Sequence, residues 1–188
     1  MKNSFPGYSY EDGKNMYRGI DIGRGGYVYG KPGMYENVAL LDIASMHPTS
    51  AICMNYFGEY TPRFKDIKDA RVYIKERQYE PVRQMFGGKL VRYLEDESTA
   101  DDLAQALKIA INSVYGLTSA SFINPFRDSR NVNNIVALRG ALFMKTLQDY
   151  LTDLDYNVIA IRTDSIKIAN ATQRAIDICI SMAAEYGY

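Results

Sequence analysis

The chain has 188 residues, 47% of them hydrophobic, and its 22 basic and 22 acidic side chains give a formal net charge of zero. This composition argues against a disordered chain, and the balanced charge argues against a protein that simply coats nucleic acid. Its two cysteines are too few for a disulfide framework or a zinc site. The sequence contains no long apolar run and no signal-peptide pattern, which predicts a soluble, intracellular protein with no membrane partner.

The first half of the chain predicts one strand followed by helices. Residues 1–18 are polar and aperiodic and are expected to form a loose lead-in. The apolar run NVALLDI (37–43) predicts a buried strand, and PTSAICMNYFG (48–58) predicts a helix. A second helix is expected over FKDIKDARVYIKERQYE (64–80), with an interruption at Pro81.

The second half predicts three helices and a hairpin. STADDLAQALKIAINSVYGL (98–117) has helical periodicity and a capping signature at its start, and a further helix is expected near 133–151. YNVIAIRTDSIKIAN (156–170) reads as two strands around a tight turn, and ATQRAIDICISMAAEYG (171–187) as a helix. This order of elements predicts an α+β fold rather than an alternating parallel-sheet fold.

Two carboxylates stand at the ends of these apolar, strand-like segments. Asp42 follows the first strand, and Asp164 lies at the turn of the hairpin, two residues after Arg162. Brought together on rigid strands, two carboxylates can hold a pair of magnesium ions that support phosphoryl transfer. Asp also caps turns frequently. The spacing alone leaves both interpretations open.

A polar face on the helix at 98–117 forms a second group of candidates. Lys108, Asn112 and Tyr115 stand at i, i+4 and i+7, and Arg71 and Lys75 stand at i, i+4 on the preceding helical segment. If the two helices pair as a hairpin, three cations would converge on a polyphosphate. The alternative is a set of ordinary solvated basic residues.

Taken in order, these segments resemble the motifs of family B DNA polymerases. DIASMHPTS (42–50) resembles motif A, D-x-x-S-L-Y-P-S, and KIAINSVYG (108–116) matches motif B, K-x-x-x-N-S-x-Y-G, at every defined position. RTDSIKI (162–168) resembles motif C, D-T-D-S, and RVYIK (71–75) is similar to the R-x-x-x-K pair of the first fingers helix. The similarity runs from about residue 19 to residue 170.

The resemblance implies a polymerase palm, which is a small antiparallel sheet backed by helices, with an inserted helical-hairpin fingers subdomain. It assigns 1–57 to the first part of the palm, 58–116 to the fingers and 117–188 to the second part of the palm. The spacing between motifs A and B resembles that of phage and viral members, which implies a location in the host cytoplasm. The exonuclease and thumb regions of the family have no counterpart here, so the chain is expected to be either a catalytic-core fragment, with those regions as its partners, or an unusually reduced protein.

The same resemblance implies template-directed DNA synthesis, with primer–template DNA and dNTP as substrates. Asp42 and Asp164 are then the catalytic, metal-binding carboxylates, and the backbone carbonyl of Ile43 helps to hold the ion on the triphosphate. The implied cofactors are two Mg²⁺ ions, with Mn²⁺ as an alternative. The residues that the resemblance assigns to dNTP binding are Arg71, Lys75, Lys108, Asn112, Tyr115, Ser45 and His47.

Two positions depart from the family pattern. His47 stands where the family usually has the Tyr that excludes ribonucleotides by crowding the 2′ position of the sugar. Arg162 replaces the first Asp of D-T-D-S, and its charge would favour ionised Asp164 but repel a divalent metal.

Two other function classes therefore stay open. One is a catalytically silent module that binds nucleotide or primer–template without turnover. The other is a different two-metal enzyme on a palm-like fold, such as a nucleotide cyclase, which the match to motif B disfavours.

Overall fold

The computed structural model describes residues 1–128 and 134–188, and the chain divides into two compact units. The first unit contains Met1–Ser50 together with 134–188, and the second contains Ala51–Asp128. Over the described residues the fold is α+β, with two small antiparallel sheets and six α-helices. From the resemblance, the sequence had assigned the inserted fingers subdomain to residues 58–116.

Both sheets belong to the first unit. The smaller sheet has the strand order β1-β2-β3 and is formed by β1 (Ser9–Glu11), β2 (Lys14–Tyr17) and β3 (Ile20–Asp21). The larger sheet has the order β4-β6-β7-β5 and is formed by β4 (Val28–Gly30), β5 (Ala39–Asp42), β6 (Asn157–Arg162) and β7 (Ser165–Ala169). The predicted strand within 37–43 and the predicted hairpin within 156–170 are therefore confirmed. The expectation that the first of these strands is buried was wrong, because β5 is an edge strand on which Leu40 and Asp42 are exposed.

The N-terminal segment is structured, and the expectation of a loose lead-in over 1–18 was wrong. Phe5 and Tyr17 are almost completely buried, and the hydroxyl groups of Tyr17 and Thr146 lie 2.9 Å apart in a hydrogen bond. Strands of three or four residues are too short to show clear alternation. Their aromatic side chains, rather than any periodicity, attach them to the core.

Helices α5 (Ile135–Asp153) and α6 (Gln173–Glu185) pack against the larger sheet and confirm the two helices predicted for this half of the chain. Almost the whole circumference of α5 is buried. At Gly140 the helix closely approaches Met46, because an added Cβ would lie 2.5 Å from the Met46 sulfur. Glycine thus permits tight packing beside the first helix.

The first helix, α1 (Met46–Cys53), is displaced from its predicted position. The sequence placed it at 48–58, but it begins two residues earlier and ends five residues earlier. A short 3₁₀ turn, Gly58–Tyr60, follows before the next helix. Pro48 thus lies at the third position of α1, still within the first turn where a proline is tolerated.

The second unit is helical. Helix α2 (Thr61–Lys75) packs against α4 (Glu97–Thr118), with the short α3 (Tyr79–Gln84) between them in the chain. Their shared core contains Ala70, Ile74, Val82, Leu94, Ala100 and Ala104. Arg77, just after α2, forms ion pairs with Glu97 and Asp101 in the first turns of α4, so the two helices run antiparallel. The sequence predicted one helix over 64–80 with an interruption at Pro81, and this was wrong: α2 ends at Lys75, and Pro81 lies in the first turn of α3, where a proline is tolerated.

Candidate active site: a carboxylate pair at two strand ends

The structure brings Asp42 and Asp164 to the same end of the larger sheet. Asp42 is the last residue of β5 and lies opposite Ser165, the first residue of β7. The next amide along, that of Ile43, donates a hydrogen bond of 2.9 Å to the carbonyl oxygen of Asp164. The two carboxylate-bearing residues are therefore attached to adjacent, hydrogen-bonded strand ends, an arrangement that the sequence spacing left open.

A small cavity lies beside this pair. Its volume is about 80 Å³, and Asp42 and Asp164 are its only acidic lining residues. Its remaining walls are apolar and come from β5, β7, α5 and α6: Leu41, Ile43, Phe143, Met144, Leu147, Ile166, Cys179, Ile180 and Ala183. Pockets for small-molecule ligands usually measure about 300–1,000 Å³. The cavity is thus too small for a nucleotide and forms an apolar support beside the carboxylates.

The turn that carries Asp164 is held in an unusual conformation. Thr163 has φ of 56°, in the left-handed region that β-branched residues rarely adopt. The Asp164 amide donates to the carbonyl of Arg162 at 2.7 Å, and the Thr163 amide donates to the carbonyl of Tyr27 at 3.0 Å. Backbone strain of this kind concentrates at functional sites, where surrounding contacts enforce it. The segment before β4 supplies such a contact here.

Ser45 lies just before α1, and His47 is the second residue of that helix. Ser45 also has a positive φ, 60°, and its carbonyl accepts the Thr49 amide at 2.9 Å, which begins the helix. His47 is half-buried, and this burial lowers its pKa below the usual value, while the negative charge of Asp164 partly offsets the effect. The imidazole is therefore mostly neutral at pH 7 and lies within electrostatic range of Asp164.

Arg162 is exposed and shares a transverse row of the sheet with Asp42. It is the last residue of β6 and lies opposite Ser165, which in turn lies opposite Asp42. Neighbouring strands are about 4.8 Å apart, so Arg162 and Asp42 are separated by roughly 10 Å at their Cα atoms. The Arg162 guanidinium thus extends over the same sheet face as the Asp42 carboxylate, although the two residues are not on neighbouring strands.

In the second unit, the predicted cations lie on the two antiparallel helices. The ion pair between Arg77 and Asp101 shows which positions along the two helices lie next to each other. Arg71 lies six residues before Arg77, which corresponds to about 9 Å along the axis at 1.5 Å per residue. Lys108 lies seven residues after Asp101, which corresponds to about 10.5 Å. Arg71 and Lys108 therefore stand at similar heights, and Lys75 is one turn away from Arg71.

These cations differ in exposure. Arg71 is half-buried, which lowers its pKa from the usual value, although an arginine remains charged at neutral pH. Lys75 and Lys108 are exposed, and neither forms an ion pair with a residue in the described ranges. The helix pairing that the sequence required for their convergence is present within this unit.

Asn112 and Tyr115 continue the polar face of α4. Asn112 is exposed one turn after Lys108, and Tyr115 is half-buried. Helix α4 continues past these residues to Thr118, whose hydroxyl donates to the Tyr115 carbonyl at 2.6 Å. The motif B residues are thus all on regular helix.

Two residues near the carboxylates were not identified from the sequence. Gly26 lies against the turn that carries Asp164, and a glycine doublet gives no sign of such a distant contact. Lys167 is exposed between two buried isoleucines of β7. The alternation in SIKIA is the signal that would have placed Lys167 on the open face of the sheet.

The residues present fit magnesium. In the described part of the chain, no three His, Cys, Asp or Glu side chains are close enough together to hold a metal ion. Two carboxylates and the Ile43 carbonyl are hard oxygen donors, and Mg²⁺ is usually bound by one or two carboxylates, with waters and substrate phosphates as its other ligands. The donor set is therefore suited to an ion that arrives with a phosphorylated substrate.

Comparison with protein-family models and with curated proteins finds no match. Among the helices of the described residues, none has the length and apolar character needed to cross a membrane. The functional assignment accordingly depends on the geometry of the site and on the resemblance of its motifs.

Proposed function

We propose that this chain is the palm and fingers core of a family B DNA polymerase, and that it transfers deoxynucleotides from dNTP to a primer 3′-hydroxyl. The observation that carries the proposal is the adjacency of Asp42 and Asp164. These residues belong to motifs 122 positions apart in the sequence, yet the structure joins their strand ends by a 2.9 Å hydrogen bond. Turn caps with purely local roles would have no reason to meet.

The residues of the two units would have different roles. In the first unit, Asp42, Asp164 and the Ile43 carbonyl would hold two Mg²⁺ ions, or Mn²⁺ ions. When bound, these ions would lower the pKa of the primer hydroxyl and neutralise charge on the pyrophosphate. Ser45 and His47 would face the triphosphate and the sugar.

In the second unit, exposed Lys75 and Lys108 and half-buried Arg71 would bind the triphosphate through charge-assisted hydrogen bonds. Asn112 and Tyr115 would line the pocket for the nascent base pair. The template then selects the base, and the protein positions the reacting groups. This mechanism needs few cations overall, in keeping with the zero net charge of the chain.

Primer extension with Mg²⁺ and dNTPs tests this proposal. Asp42→Asn and Asp164→Asn keep the shape of each side chain but remove its charge, and each should lower the extension rate by about a hundredfold or more. Asp177→Asn is the matched control, because Asp177 is an exposed carboxylate on α6 of the same unit. Extension that neither active-site substitution reduces would contradict the assignment.

A catalytically silent binding module is the second candidate. The observation that favours it is Arg162, a cation in the same row of the sheet as Asp42. Binding of nucleotide or primer–template without any incorporation, also after longer flanking sequence is restored, would favour this alternative. A cyclic nucleotide product in place of an elongated primer would instead indicate a cyclase.

A further inference from the structure

A second and larger cavity lies in the first unit, between helices α5 and α6. Its volume is about 430 Å³, within the range of about 300–1,000 Å³ that is usual for small-molecule sites. Helix α5 contributes Thr146, Tyr150 and Asp153 to its wall, and α6 contributes Ile178, Met182 and Glu185. None of the residues that line this cavity also lines the small cavity beside the carboxylate pair. It is therefore a separate site, large enough for a small molecule.

Two carboxylates stand at opposite ends of this cavity. Tyr186, directly after Glu185, packs against Phe143 with the ring centroids 5.3 Å apart. The end of α6 thus lies beside the first half of α5, and the two helices run antiparallel. Asp153 ends α5 ten residues after Phe143, or about 15 Å along the axis. Because helical side chains lean toward the N-terminus, the Asp153 and Glu185 carboxylates lean toward each other and are roughly 10 to 15 Å apart.

The charge of the wall favours a cationic ligand. Within residues 1–128 and 134–188, neither Asp153 nor Glu185 forms an ion pair. Arg18 is the only cation among the lining residues, and its guanidinium is already paired with Asp149 at 3.1 Å. A phosphate or carboxylate ligand would therefore meet two acids and a cation that is already neutralised. A ligand with two positive charges would instead find one acid at each end of the cavity.

We propose that this cavity binds a linear diamine or polyamine, with one terminal ammonium group at Asp153 and the other at Glu185. Each ammonium group donates charge-assisted hydrogen bonds to its carboxylate. The methylene chain between them lies along Ile178 and Met182, where its apolar surface is removed from water. The Tyr150 ring, 47% exposed at the wall, adds a cation–π contact to a bound ammonium group.

Isothermal titration calorimetry of the full chain in low-salt buffer tests the proposal, with linear diamines as probes. 1,8-Diaminooctane should bind about fivefold more tightly than octylamine, which has the same chain but a single ammonium group. Affinity should pass through a maximum at about eight to ten methylene groups, because shorter diamines such as 1,4-diaminobutane cannot reach both carboxylates at once. Spermidine, which has a similar extended length, should bind about as tightly as 1,8-diaminooctane.

Substitutions at the two carboxylates test the assigned ends. Asp153→Asn and Glu185→Gln keep the size of each side chain but remove its charge, and each should lower the affinity for 1,8-diaminooctane about fivefold. Asp177→Asn is the matched control, because Asp177 is an exposed carboxylate on α6 that does not line the cavity. It should leave the affinity unchanged. The midpoint of thermal unfolding without ligand, measured for every variant, shows whether the fold is intact.

Two results would overturn the proposal. One is a wild type that binds 1,8-diaminooctane no more tightly than octylamine. The other is an affinity that rises steadily with chain length and is the same in Asp153→Asn, Glu185→Gln and Asp177→Asn, which would indicate contacts with the methylene groups alone. The proposal is independent of polymerase activity, because diamine binding is measured without primer, template or dNTP.

Discussion

Gly26 lies directly against Thr163. A Cβ atom added to Gly26 would be 2.5 Å from both Cγ2 and Oγ1 of Thr163, which is closer than atoms can pack. The neighbouring Tyr27 carbonyl accepts the Thr163 amide at 3.0 Å. Because Thr163 immediately precedes Asp164, the absence of a side chain at Gly26 determines where the Asp164 carboxylate is held.

Gly26→Ala should therefore displace the turn and slow primer extension by about tenfold to a hundredfold, since misplacing a catalytic group by about 1 Å has effects of that size. The rate is measured together with the midpoint of thermal unfolding, to separate displacement from unfolding. Gly25→Ala is the control, because Gly25 has no atoms within 4 Å of an added Cβ and no positive φ. If the two variants extend primers equally well, the turn does not depend on Gly26.

The hairpin and the long helices could be predicted because their signals are local. NVIAI and SIKIA are strongly apolar around a turn, and the structure forms β6 and β7 from them. Helix α5 was expected near 133–151 and runs over Ile135–Asp153. In each case, neighbouring residues alone contain the preference for strand or helix.

The meeting of Asp42 and Asp164 could not be predicted from periodicity. It depends on the pairing of β5 with β7, two strands separated by more than a hundred residues, and no local pattern specifies that partner. The face that α4 buries is also determined by its partner helix. Ala100 and Ala104 are buried, while Ala110 is exposed. Small residues pack against α2 because the two helices approach closely, which only the tertiary structure determines.

The start of α4 depends on Asp96. Its carboxylate accepts the Thr99 amide at 2.9 Å and also the Thr99 hydroxyl, so Asp96 is the N-cap, two residues before the start of the segment that the sequence predicted as helix. Asp96→Ala should lower the midpoint of thermal unfolding by a few degrees, while Asp102→Ala, an exposed carboxylate within the same helix, should have little effect. Equal melting of the two variants would show that another group caps the helix.

The contribution of Asp96 should also depend on pH in a defined direction. Its hydrogen bonds with Thr99 hold the Asp96 pKa below the ordinary value of 3.8. A carboxylate with a lowered pKa in the folded state stabilises the fold above the pKa of the unfolded chain, and this stabilisation disappears as the pH falls through the lower, folded value. The difference in stability between the wild type and Asp96→Ala should therefore be full at pH 6 and shrink as the pH falls below about 3.8.

The two cysteines should react very differently. Burial beside the apolar cavity raises the pKa of the Cys179 thiol to about 11, whereas Cys53 is exposed. The reactive species is the thiolate, so at pH 8 an alkylating reagent should modify Cys53 and leave Cys179 intact until the protein is unfolded. Mass spectrometry of the labelled chain measures this. Cys53→Ser should abolish rapid labelling, and modification of Cys179 in the folded protein would show that the cavity opens to solvent.

His47 provides the most specific test of the sugar pocket. It lies in the first turn of α1, within electrostatic range of Asp164, at the position where the resemblance places a Tyr that crowds the 2′ position. The imidazole is smaller than the tyrosine ring. The ratio of ribonucleotide to deoxynucleotide incorporation should therefore be about tenfold higher in the wild type than in His47→Tyr. The ratio of the two incorporation efficiencies on one primer–template gives the answer. His47→Ala, with still less bulk, should raise the ratio further, because a steric barrier depends on volume. Equal ratios in all three proteins would mean that residue 47 does not face the sugar.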